Sequence, residues 1–424
     1  MPKNVLVFPC GSEVGLEIRR ALSGSSHFNL YGGSSTDDHG KFAYQNYISG
    51  LPFVQHPDFI SELNKVIALY EIDFVIPAHD SAVLEMAENR EQIKADIVTS
   101  DAQTCRITRS KRKTYDFFKG LIPTPTVFEP KEDLPFPVFL KPDVGQGSKG
   151  TLLASHQHEV DAHILKDPTT LILEYLPGRE YTVDCFSDRK GRLLFCEGRE
   201  RKRIYNGISV NSKERRDERF KKIAEIINEK LHLQGVWFYQ VKERSNGGLV
   251  LMEIAPRIAG TMALFRMDGV NFAQLSLFDR MGVDVEIIRN GIDIEIDRAL
   301  TQKYILNFEY DTVYVDFDDT LIINSMVNTV LMQFLYQSKN LSKKIVLITR
   351  HKQNIKDTLS QFWISETIFD EIIVLKGTER KSDYIRKQNS IFIDDSFSER
   401  KEVSQNAKIP VFSLDAVEAL ILDS

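Results

Sequence analysis

The chain has 424 residues, of which 42% are hydrophobic and 27% charged, and its formal net charge is −6. These values describe an ordinary globular protein of two or three domains, without the basic excess of a nucleic-acid-binding surface. No apolar run in the sequence approaches the roughly 20 residues that a membrane helix needs. The four cysteines are widely spaced, which argues against a disulfide framework and a zinc site.

The first residues of the chain do not have the pattern of a secretory signal. Residues 1–7 contain one lysine and a short apolar run that ends before Pro9, too brief for the apolar core of a secretory signal. We therefore expect a cytoplasmic protein whose partners are small molecules rather than nucleic acids or membranes. The sequence gives no indication of an oligomeric state.

Strand and helix patterns alternate along the first hundred residues. A buried strand at residues 5–8 leads through a glycine-containing turn to a helix at 13–22, and a second strand at 74–77 leads to another amphipathic helix. Such alternation predicts a parallel sheet with helices on both faces. We predict an α/β, Rossmann-like domain over residues 1–105.

Two features of this first region have alternative interpretations. The Gly11-x-x-x-Gly15 spacing indicates a tight packing turn in preference to a dinucleotide site, because the glycine pattern of such a site is incomplete. Asp80 follows the second strand, where it either lines a substrate pocket or caps the next helix.

The pattern changes after residue 105. Strand patterns recur at residues 171–174, 181–186, 236–241 and 249–254, and Asn246-Gly247-Gly248 predicts a hairpin turn between the last two. These strands predict an antiparallel sheet in an α+β domain over residues 106–305.

Residues 141–150 (KPDVGQGSKG) place a lysine at the end of a predicted strand, followed by a glycine-rich loop. Glycines let backbone N–H groups approach phosphate oxygens closely, and Lys141 adds positive charge at the same place. The spacing is neither that of a P-loop nor that of a dinucleotide-binding turn. Taken alone, the segment fits either a phosphate-binding loop or a surface hairpin.

Three later segments give this loop a context: residues 171–184 (LILEYLPGREYTVD), 238–240 (FYQ) and 251–257 (LMEIAPR). In this order they resemble the ATP-grasp superfamily, above all its carbamoyl-phosphate-synthase-like and pyrrolysine-biosynthesis-like carboxylate-amine ligases. The resemblance covers about residues 5–290. It implies ATP and Mg²⁺ as cofactors, and a pre-ATP-grasp domain followed by an ATP-grasp domain.

The resemblance also implies roles for individual residues. Two lysines would contact the phosphates, glycines would cover the triphosphate, the three residues from 174 to 176 would read adenine, and Glu180 would lie near the ribose. The implied nucleotide-binding residues are Lys111, Lys141, Gly145, Gly147, Ser148, Gly150, Glu174, Tyr175, Leu176 and Glu180. The implied metal ligands are Gln240 and Glu253, and Arg257 matches the catalytic arginine. Lys113 is an alternative to Lys111.

One position departs from the family pattern. Ala255 stands where the family commonly has an asparagine that helps to hold a second Mg²⁺, and alanine cannot ligate a metal. The number of Mg²⁺ ions therefore stays open. The reaction that the resemblance implies joins a carboxylate to an amine through an acyl phosphate, whose formation requires stabilised phosphoryl charge.

The last hundred residues contain three strongly apolar strand patterns, at residues 313–315, 345–348 and 391–393, each followed by Asp or Thr. Polar groups at the carboxyl ends of parallel strands form the site of an open α/β sheet. Asp316 and Asp318 lie two residues apart beyond the first strand. One carboxylate there can attack a phosphoryl group while its neighbour transfers the proton.

With Thr349, Lys381 and Asp394 in their positions further on, this order resembles the haloacid-dehalogenase (HAD) phosphohydrolase superfamily over residues 311–424. The resemblance implies Asp316 as nucleophile, Asp318 as general acid/base, and Thr349 and Lys381 as phosphate binders.

The same resemblance implies a Mg²⁺ site made by Asp394, Asp316 and the backbone carbonyl of Asp318. Lys376 is an alternative to Lys381 as the phosphate-binding lysine. The short stretch between Thr320 and Thr349 leaves no room for a large cap domain, so we expect a HAD-like Rossmannoid domain without one.

The two resemblances together predict a bifunctional enzyme. One part is a ligase that acts on a small-molecule carboxylate and an amine, and the other is a Mg²⁺-dependent phosphatase that acts on a phosphorylated small molecule. Two alternatives remain: an ATP-grasp kinase that transfers the γ-phosphate to a small acceptor, or one domain retained as a non-catalytic binding module.

Overall fold

The structure is a computed structural model that describes residues 1–130, 133–145, 147, 149–301, 304, 306–386 and 388–422. The chain forms two compact units, Met1–Thr301 and Gln302–Ser424. The further division of the first unit near residue 105 stays a prediction. Among the described residues, no helix combines the length and apolar composition that crossing a membrane requires.

A five-stranded parallel sheet occupies the beginning of the first unit. Its strands are β1 (Lys3–Phe8), β2 (Phe28–Gly33), β3 (Asn46–Ile48), β4 (Phe74–Pro77) and β5 (Asp96–Ile97), in the order β3-β2-β1-β4-β5. The accompanying helices are α1 (Glu13–Leu22), α2 (Gly40–Ala43), α3 (Phe59–Leu69), α4 (Asp80–Glu88), α5 (Ala102–Arg109) and α6 (Lys111–Phe118).

Both faces of this sheet are covered, as the alternating pattern predicts. Val5 and Val7 of β1 pack with Ile18 of α1, whereas Leu6 and Phe8 pack into a second core with α3 and α4. The strand order reverses between β1 and β4, and ligands of open α/β sheets bind beyond the strand ends at such a reversal. The turns after β1 and β4 are therefore placed to line a site.

The rest of the first unit contains two antiparallel sheets instead of the single one predicted. The smaller has the order β6-β9-β7-β8 and the larger β14-β13-β10-β11-β12-β15. Their strands are β6 (Val127–Phe128), β7 (Val138–Pro142), β8 (Leu152–Ala154), β9 (Thr170–Glu174), β10 (Glu180–Ser187), β11 (Leu193–Tyr205), β12 (Ile208–Arg215), β13 (Gly235–Glu243), β14 (Leu249–Ala255) and β15 (Glu295–Asp297). The helices of this part are α7 (Gln157–Lys166), α8 (Glu218–Lys230), α9 (Ala263–Met267) and α10 (Phe272–Arg280).

The assignment of β9 to the larger sheet was the error in that prediction. β9 pairs with β7 along its whole length, and Pro177-Gly178 separates it from β10. Proline cannot donate to a strand ladder, so the chain leaves one sheet there and enters the other. The hairpin between β13 and β14 is confirmed, with Gly247 at φ 79°.

The second unit contains a five-stranded parallel sheet, a separate two-stranded hairpin and several helices. Its strands are β16 (Thr312–Val315), β17 (Ile322–Ile323), β18 (Met326–Val327), β19 (Lys344–Thr349), β20 (Glu371–Val374), β21 (Ser390–Ile393) and β22 (Val411–Phe412), and its helices are α11 (Thr329–Asn340), α12 (Ile355–Gln361) and α13 (Phe397–Asn406). The sheet order is β20-β19-β16-β21-β22, and β17 and β18 form a separate hairpin. Between Thr320 and β19 the chain forms only this hairpin and α11, in keeping with the short spacing.

The turn between β1 and α1 is tightly packed. Ser12 caps α1, with its Oγ accepting a hydrogen bond from the backbone N–H of Gly15 at 3.0 Å. A Cβ atom on Gly15 would lie 2.4 Å from the carbonyl oxygen of Cys10, and one on Gly11 would lie 2.1 Å from the Asp38 carboxylate. This crowding favours the packing interpretation of the two glycines.

We predict that Gly15→Ala destabilises the first unit by roughly 1–3 kcal/mol, because the new methyl group meets a backbone carbonyl that cannot turn away. Alanine in an open helix position has the opposite effect. Tryptophan fluorescence during urea unfolding reports on this unit, since Trp237 is buried there and Trp363 is already 92% exposed. Gly24→Ala is the control, because no atom lies within 4 Å of its Cβ position. Equal unfolding midpoints for both variants would contradict the packing argument.

Candidate functional site

Two adjoining cavities lie in the first unit. The large cavity has a volume of about 410 Å³ and the small cavity about 120 Å³. The turns after β1 and β4 line only the large cavity, through Ser12, His79 and Asp80. The residues that line both cavities are Lys111, Gly145, Gly147, Lys149, Arg201, Gly207, Gln240 and Glu253.

The structure brings most of the predicted nucleotide-binding residues to these cavities. Those that line only the small cavity are Lys141, Glu174, Tyr175, Leu176 and Glu180. Gly150 lines neither cavity; its Cβ position is 2.9 Å from Pro142 and its carbonyl oxygen is 3.1 Å from His163 Nε2. Ser148 lies outside the described residues.

Lys111 sits at a break between two helices. α5 ends at Arg109 and α6 begins at Lys111, and the hydroxyl of Ser110 between them accepts a hydrogen bond from the backbone N–H of Lys113 at 3.1 Å. Lys111 is buried, with Nζ donating to the carbonyl oxygen of Asp143 at 3.1 Å. Lys113 is exposed and does not line either cavity. Of the two candidate lysines, the structure therefore places Lys111 in the site.

Glu253 and Lys141 meet where the two cavities join. Lys141 Nζ lies 3.4 Å from Glu253 Oε2, and Gln240 of β13 stands directly opposite Glu253 of β14. Burial acts to raise the pKa of Glu253, but Lys141 and Lys111 outweigh it and hold that pKa below its usual range. An ionised carboxylate thus faces the cavities beside an amide side chain.

This oxygen pair fits a Mg²⁺ ion. Mg²⁺ prefers hard oxygen ligands and usually keeps few protein ligands beside water and phosphate. Gln240 and Glu253 supply such oxygens, and Lys111 and Lys141 supply cations for phosphate groups next to them. Ala255 is two residues from Glu253 on β14 and also lines the large cavity, where it offers only a methyl group.

Arg257 is held by Asp80 across 177 residues of chain. Its Nε donates to Asp80 Oδ1 at 2.6 Å and a second guanidinium nitrogen to Oδ2 at 2.9 Å. Burial acts to raise the pKa of Asp80, yet Arg257 brings it down to about 2. The alternative role of Asp80 as a helix cap is wrong, because His79 is the cap residue, with Nδ1 accepting from the Ser81 backbone N–H at 3.2 Å.

Two arginines of β11 complete the cavity walls and were not predicted from the sequence. Arg201 forms an ion pair with Glu180, and the buried Arg199 forms one with Asp184 at 2.7 Å. Both lie two residues apart on one strand, so they share a face. The alternating basic residues at 199, 201 and 203 were the available signal, but charge alone does not distinguish a cavity wall from a solvated surface.

The second unit brings three predicted residues together at the carboxyl ends of β16 and β21. Lys381 Nζ lies 2.6 Å from Asp316 Oδ1 and 2.6 Å from Asp394 Oδ2, and all three side chains are buried. Burial raises the pKa of Asp316 to about 6, against the opposing effect of Lys381. Lys376 is exposed, so the structure places Lys381 at the aspartates.

A group of carboxylates here is suited to a metal ion. Ligand atoms of Asp316, Asp394 and Asp395 all lie within 4.8 Å of one another. Asp395 was not among the predicted ligands, although the Asp-Asp pair after β21 was visible in the sequence. The proposed ligation by the backbone carbonyl of Asp318 stays a prediction.

Asp318 and Thr349 share a neighbour that the sequence did not reveal. The Asp318 carboxylate is 53% exposed and lies 2.9 Å from His351 Nδ1. Thr349 is buried at the end of β19, and its Oγ1 accepts from the His351 backbone N–H at 3.2 Å. A histidine two residues after the predicted Thr has no fixed pattern, so only the tertiary structure identifies it.

Part of the first unit is similar to a known protein family. Residues 166–297 match a family described as "ATP-grasp in the biosynthetic pathway with Ter operon". This stretch of the chain is therefore similar to ATP-grasp proteins. We call Met1–Thr301, the unit that contains this match, the ATP-grasp unit.

Curated relatives of the ATP-grasp type share limited identity. The chain is 27% identical over 135 residues to a carbamoyl-phosphate synthase of Methanobrevibacter smithii, covering 28% of this chain and 37% of that protein. It is 28% identical over 136 residues to the 3-methyl-D-ornithine–L-lysine ligase of Methanosarcina barkeri, covering 31% and 35%. The chain thus spans little more than a third of the length of these two relatives.

Solved structures support the fold. The biotin carboxylase domain of the Hydrogenobacter thermophilus 2-oxoglutarate carboxylase, solved with MgADP, ADP and bicarbonate, aligns with a TM-score of 0.56 at 14% identity, over 69% of this chain and 72% of that one. The mixed α/β fold therefore has ATP-grasp-like neighbours. ATP with Mg²⁺, the predicted cofactor pair, is what ATP-grasp enzymes use.

We predict that nucleotide affinity of the ATP-grasp unit falls as the pH rises through about 8. Burial and the neighbouring Lys141 lower the pKa of Lys111 to about 8, and only its charged form attracts phosphate. Affinity is therefore constant below that pH and declines above it. Calorimetric titration with a non-hydrolysable ATP analogue and Mg²⁺ between about pH 7 and 9 measures this.

Lys111→Met should weaken binding roughly tenfold at the lower pH and flatten the profile, whereas Lys113→Met should keep the wild-type profile. A pH dependence that disappears in the Lys113 variant instead would assign the phosphate contact to the other lysine.

Proposed function

We propose that the ATP-grasp unit is an ATP-dependent carboxylate-amine ligase. The observation that carries the proposal is the meeting of Lys141, Lys111, Gln240 and Glu253 where the two cavities join. The small cavity would take the nucleotide and the large cavity the acid and the amine. The name of the Methanosarcina relative, which joins an ornithine derivative to lysine, supports substrates that are small amino acids or similar molecules.

The residues at the junction would have distinct tasks. Gln240 and Glu253 would hold Mg²⁺, and Lys111 and Lys141 would hold the phosphates. The carboxylate would take the γ-phosphoryl group of ATP with release of ADP, and the amine would then attack the acyl phosphate, which forms the amide bond and releases inorganic phosphate. Arg257, kept in place by Asp80 and lying over the Phe238 ring at 5.2 Å, would stabilise negative charge in the large cavity.

The remaining assignments are part of the same proposal. Glu174, Tyr175 and Leu176 would contact the base, with the Glu174 carboxylate already held by Arg244 at 2.7 Å and by Thr126 at 3.0 Å. The backbone of this segment is therefore the part available to the nucleotide. We also propose the three-domain division into residues 1–105, 106–305 and 311–424.

We predict that Lys141→Ala lowers substrate-dependent ADP release by roughly 100-fold or more, because it removes a cation from the charge that develops on the phosphoryl group. ADP release is measured with Mg²⁺ and ATP while acids and amines are screened. Lys94→Ala, an exposed lysine of the same unit, is the control.

Turnover that survives Lys141→Ala would contradict the ligase assignment. A phosphorylated acceptor formed without an amide would favour the kinase alternative. Nucleotide binding without any turnover would favour a non-catalytic binding module.

We propose as a second function that the second unit is an aspartate-nucleophile phosphatase of the HAD type, so that the enzyme is bifunctional. The contact of Lys381 with both Asp316 and Asp394 carries this proposal. Lys381 would neutralise the crowded carboxylates and attract a phosphoryl group. Mg²⁺ bound at Asp316, Asp394 and Asp395 would add positive charge to that phosphoryl group.

The other roles belong to the same proposal. Asp316 would be the nucleophile, and Asp318 beside His351 would transfer the proton. Thr349 would bind a phosphate oxygen. The substrate is a phosphorylated small molecule.

We predict that Asp316→Asn abolishes hydrolysis of p-nitrophenyl phosphate, lowering the rate by at least about 10⁴-fold, because an amide cannot act as the nucleophile. Asp383→Asn changes an exposed aspartate near Lys381 and should keep activity. Chelation of Mg²⁺ should abolish the wild-type rate as well. Hydrolysis that persists in the Asp316 variant would reject the assignment.

A further inference from the structure

The large cavity has more positive than negative charge on its walls. Four of its arginines, Arg199, Arg201, Arg257 and Arg298, each form an ion pair with a carboxylate. Each of these charges is therefore already balanced by a carboxylate of the protein before a ligand binds.

Three further cations of this cavity have no carboxylate within ion-pair distance among the described residues: Arg109, Lys111 and Lys149. Lys111 and Lys149 also line the small cavity, where the phosphates of a nucleoside triphosphate would balance their positive charge. Arg109 lines only the large cavity, so its charge is not accounted for by a nucleotide. An anion bound in the large cavity would balance the positive charge of Arg109.

Arg109 is fixed at one side of the cavity. It is the last residue of α5, it is half-buried, and one of its guanidinium nitrogens donates to Ser81 Oγ on α4 at 3.3 Å. That bond uses one of the five donor hydrogens of the guanidinium group. The planar guanidinium can form paired hydrogen bonds with a carboxylate or a phosphate, which a single hydroxyl cannot match.

The surroundings of Arg109 are positive. Asp80, whose pKa Arg109 helps to lower, already has both carboxylate oxygens bound by Arg257. Burial lowers the pKa of the neighbouring His79, and Arg257, Arg109 and Lys149 lower it further against the opposing effect of Asp80. This end of the cavity therefore favours a negatively charged ligand group.

We propose that one substrate of the ligase carries, besides its reacting group, a permanent anionic group that Arg109 binds on the Ser81 side of the large cavity. The inference rests on the proposed ligase function and specifies its substrate class. The anionic group is a carboxylate or a phosphate, as in an amino acid, a dicarboxylic acid or an aminoalkyl phosphate. A substrate that lacks this group leaves the half-buried charge of Arg109 uncompensated and binds weakly.

The first test compares substrates that differ only in the anionic group. ADP release is measured with Mg²⁺ and ATP for all combinations of acids and amines in matched sets: amino acids against the amines that lack their carboxylate, dicarboxylates against monocarboxylates, and aminoalkyl phosphates against amino alcohols. We expect turnover only where one partner carries the extra anion, and the active set tells carboxylate from phosphate. Equal turnover with the neutral members, or no active combination at all, would overturn the inference.

The second test uses variants of Arg109. Arg109→Ala should raise the KM of the anionic substrate by about 10- to 100-fold while kcat stays within about twofold, and Arg109→Lys should restore part of the loss. Affinity for the ATP analogue and the unfolding midpoint should not change, which a merely structural role would not predict. Arg106→Ala is the control, since Arg106 lies on the same helix, pairs with Glu88 at the surface and does not line the cavity.

An unchanged KM in Arg109→Ala would overturn the inference. Failure of the inference is distinguishable from failure of the ligase proposal. If Lys141-dependent ADP release is seen with substrates that carry no second anion, the ligase stands and the role of Arg109 is rejected. If no Lys141-dependent ADP release occurs with any acceptor, the ligase proposal itself fails.

Discussion

The ionised state of Glu253 is the condition on which the candidate site of the ATP-grasp unit depends. A partly buried carboxylate tends to take up a proton, and a protonated Glu253 would not bind Mg²⁺. Lys141 at 3.4 Å and the buried Lys111 prevent this. The two lysines thereby have two effects, since they keep the carboxylate charged and they present positive charge to phosphate.

In the second unit, burial and a neighbouring lysine again have opposite effects on the pKa of a carboxyl group, but here burial has the larger effect. Asp316 and Asp394 are buried close together, and a single buried lysine contacts both. The single lysine does not offset the effect of burial on Asp316, whose pKa is raised to about 6. At Glu253, by contrast, two lysines outweigh burial and the pKa is lowered. A divalent cation at Asp316, Asp394 and Asp395 would supply the charge that Lys381 alone does not.

Much of the fold was predictable because it follows local patterns. The buried strand β1, helix α1 with its Ser12 cap and the three apolar strands of the second unit are all encoded within a few consecutive residues. Sheet membership was not local. The predicted antiparallel sheet proved to be two, because pairing of β9 with β7 depends on strands that are about 30 residues apart and on the proline that follows β9.

The order of motifs along the chain predicted Lys141, Gln240 and Glu253 and left Lys111 and Lys113 as alternatives, and by itself the sequence determined which residue types were available for phosphate and metal chemistry. The tertiary structure decided which charges meet. Asp80 with Arg257, Glu180 with Arg201 and Asp318 with His351 are pairs between distant segments, and no spacing in the sequence marks them. The physical reason is range: periodicity and capping act between near neighbours in the chain, whereas ion pairs depend on distances in space that only the packed sheets establish.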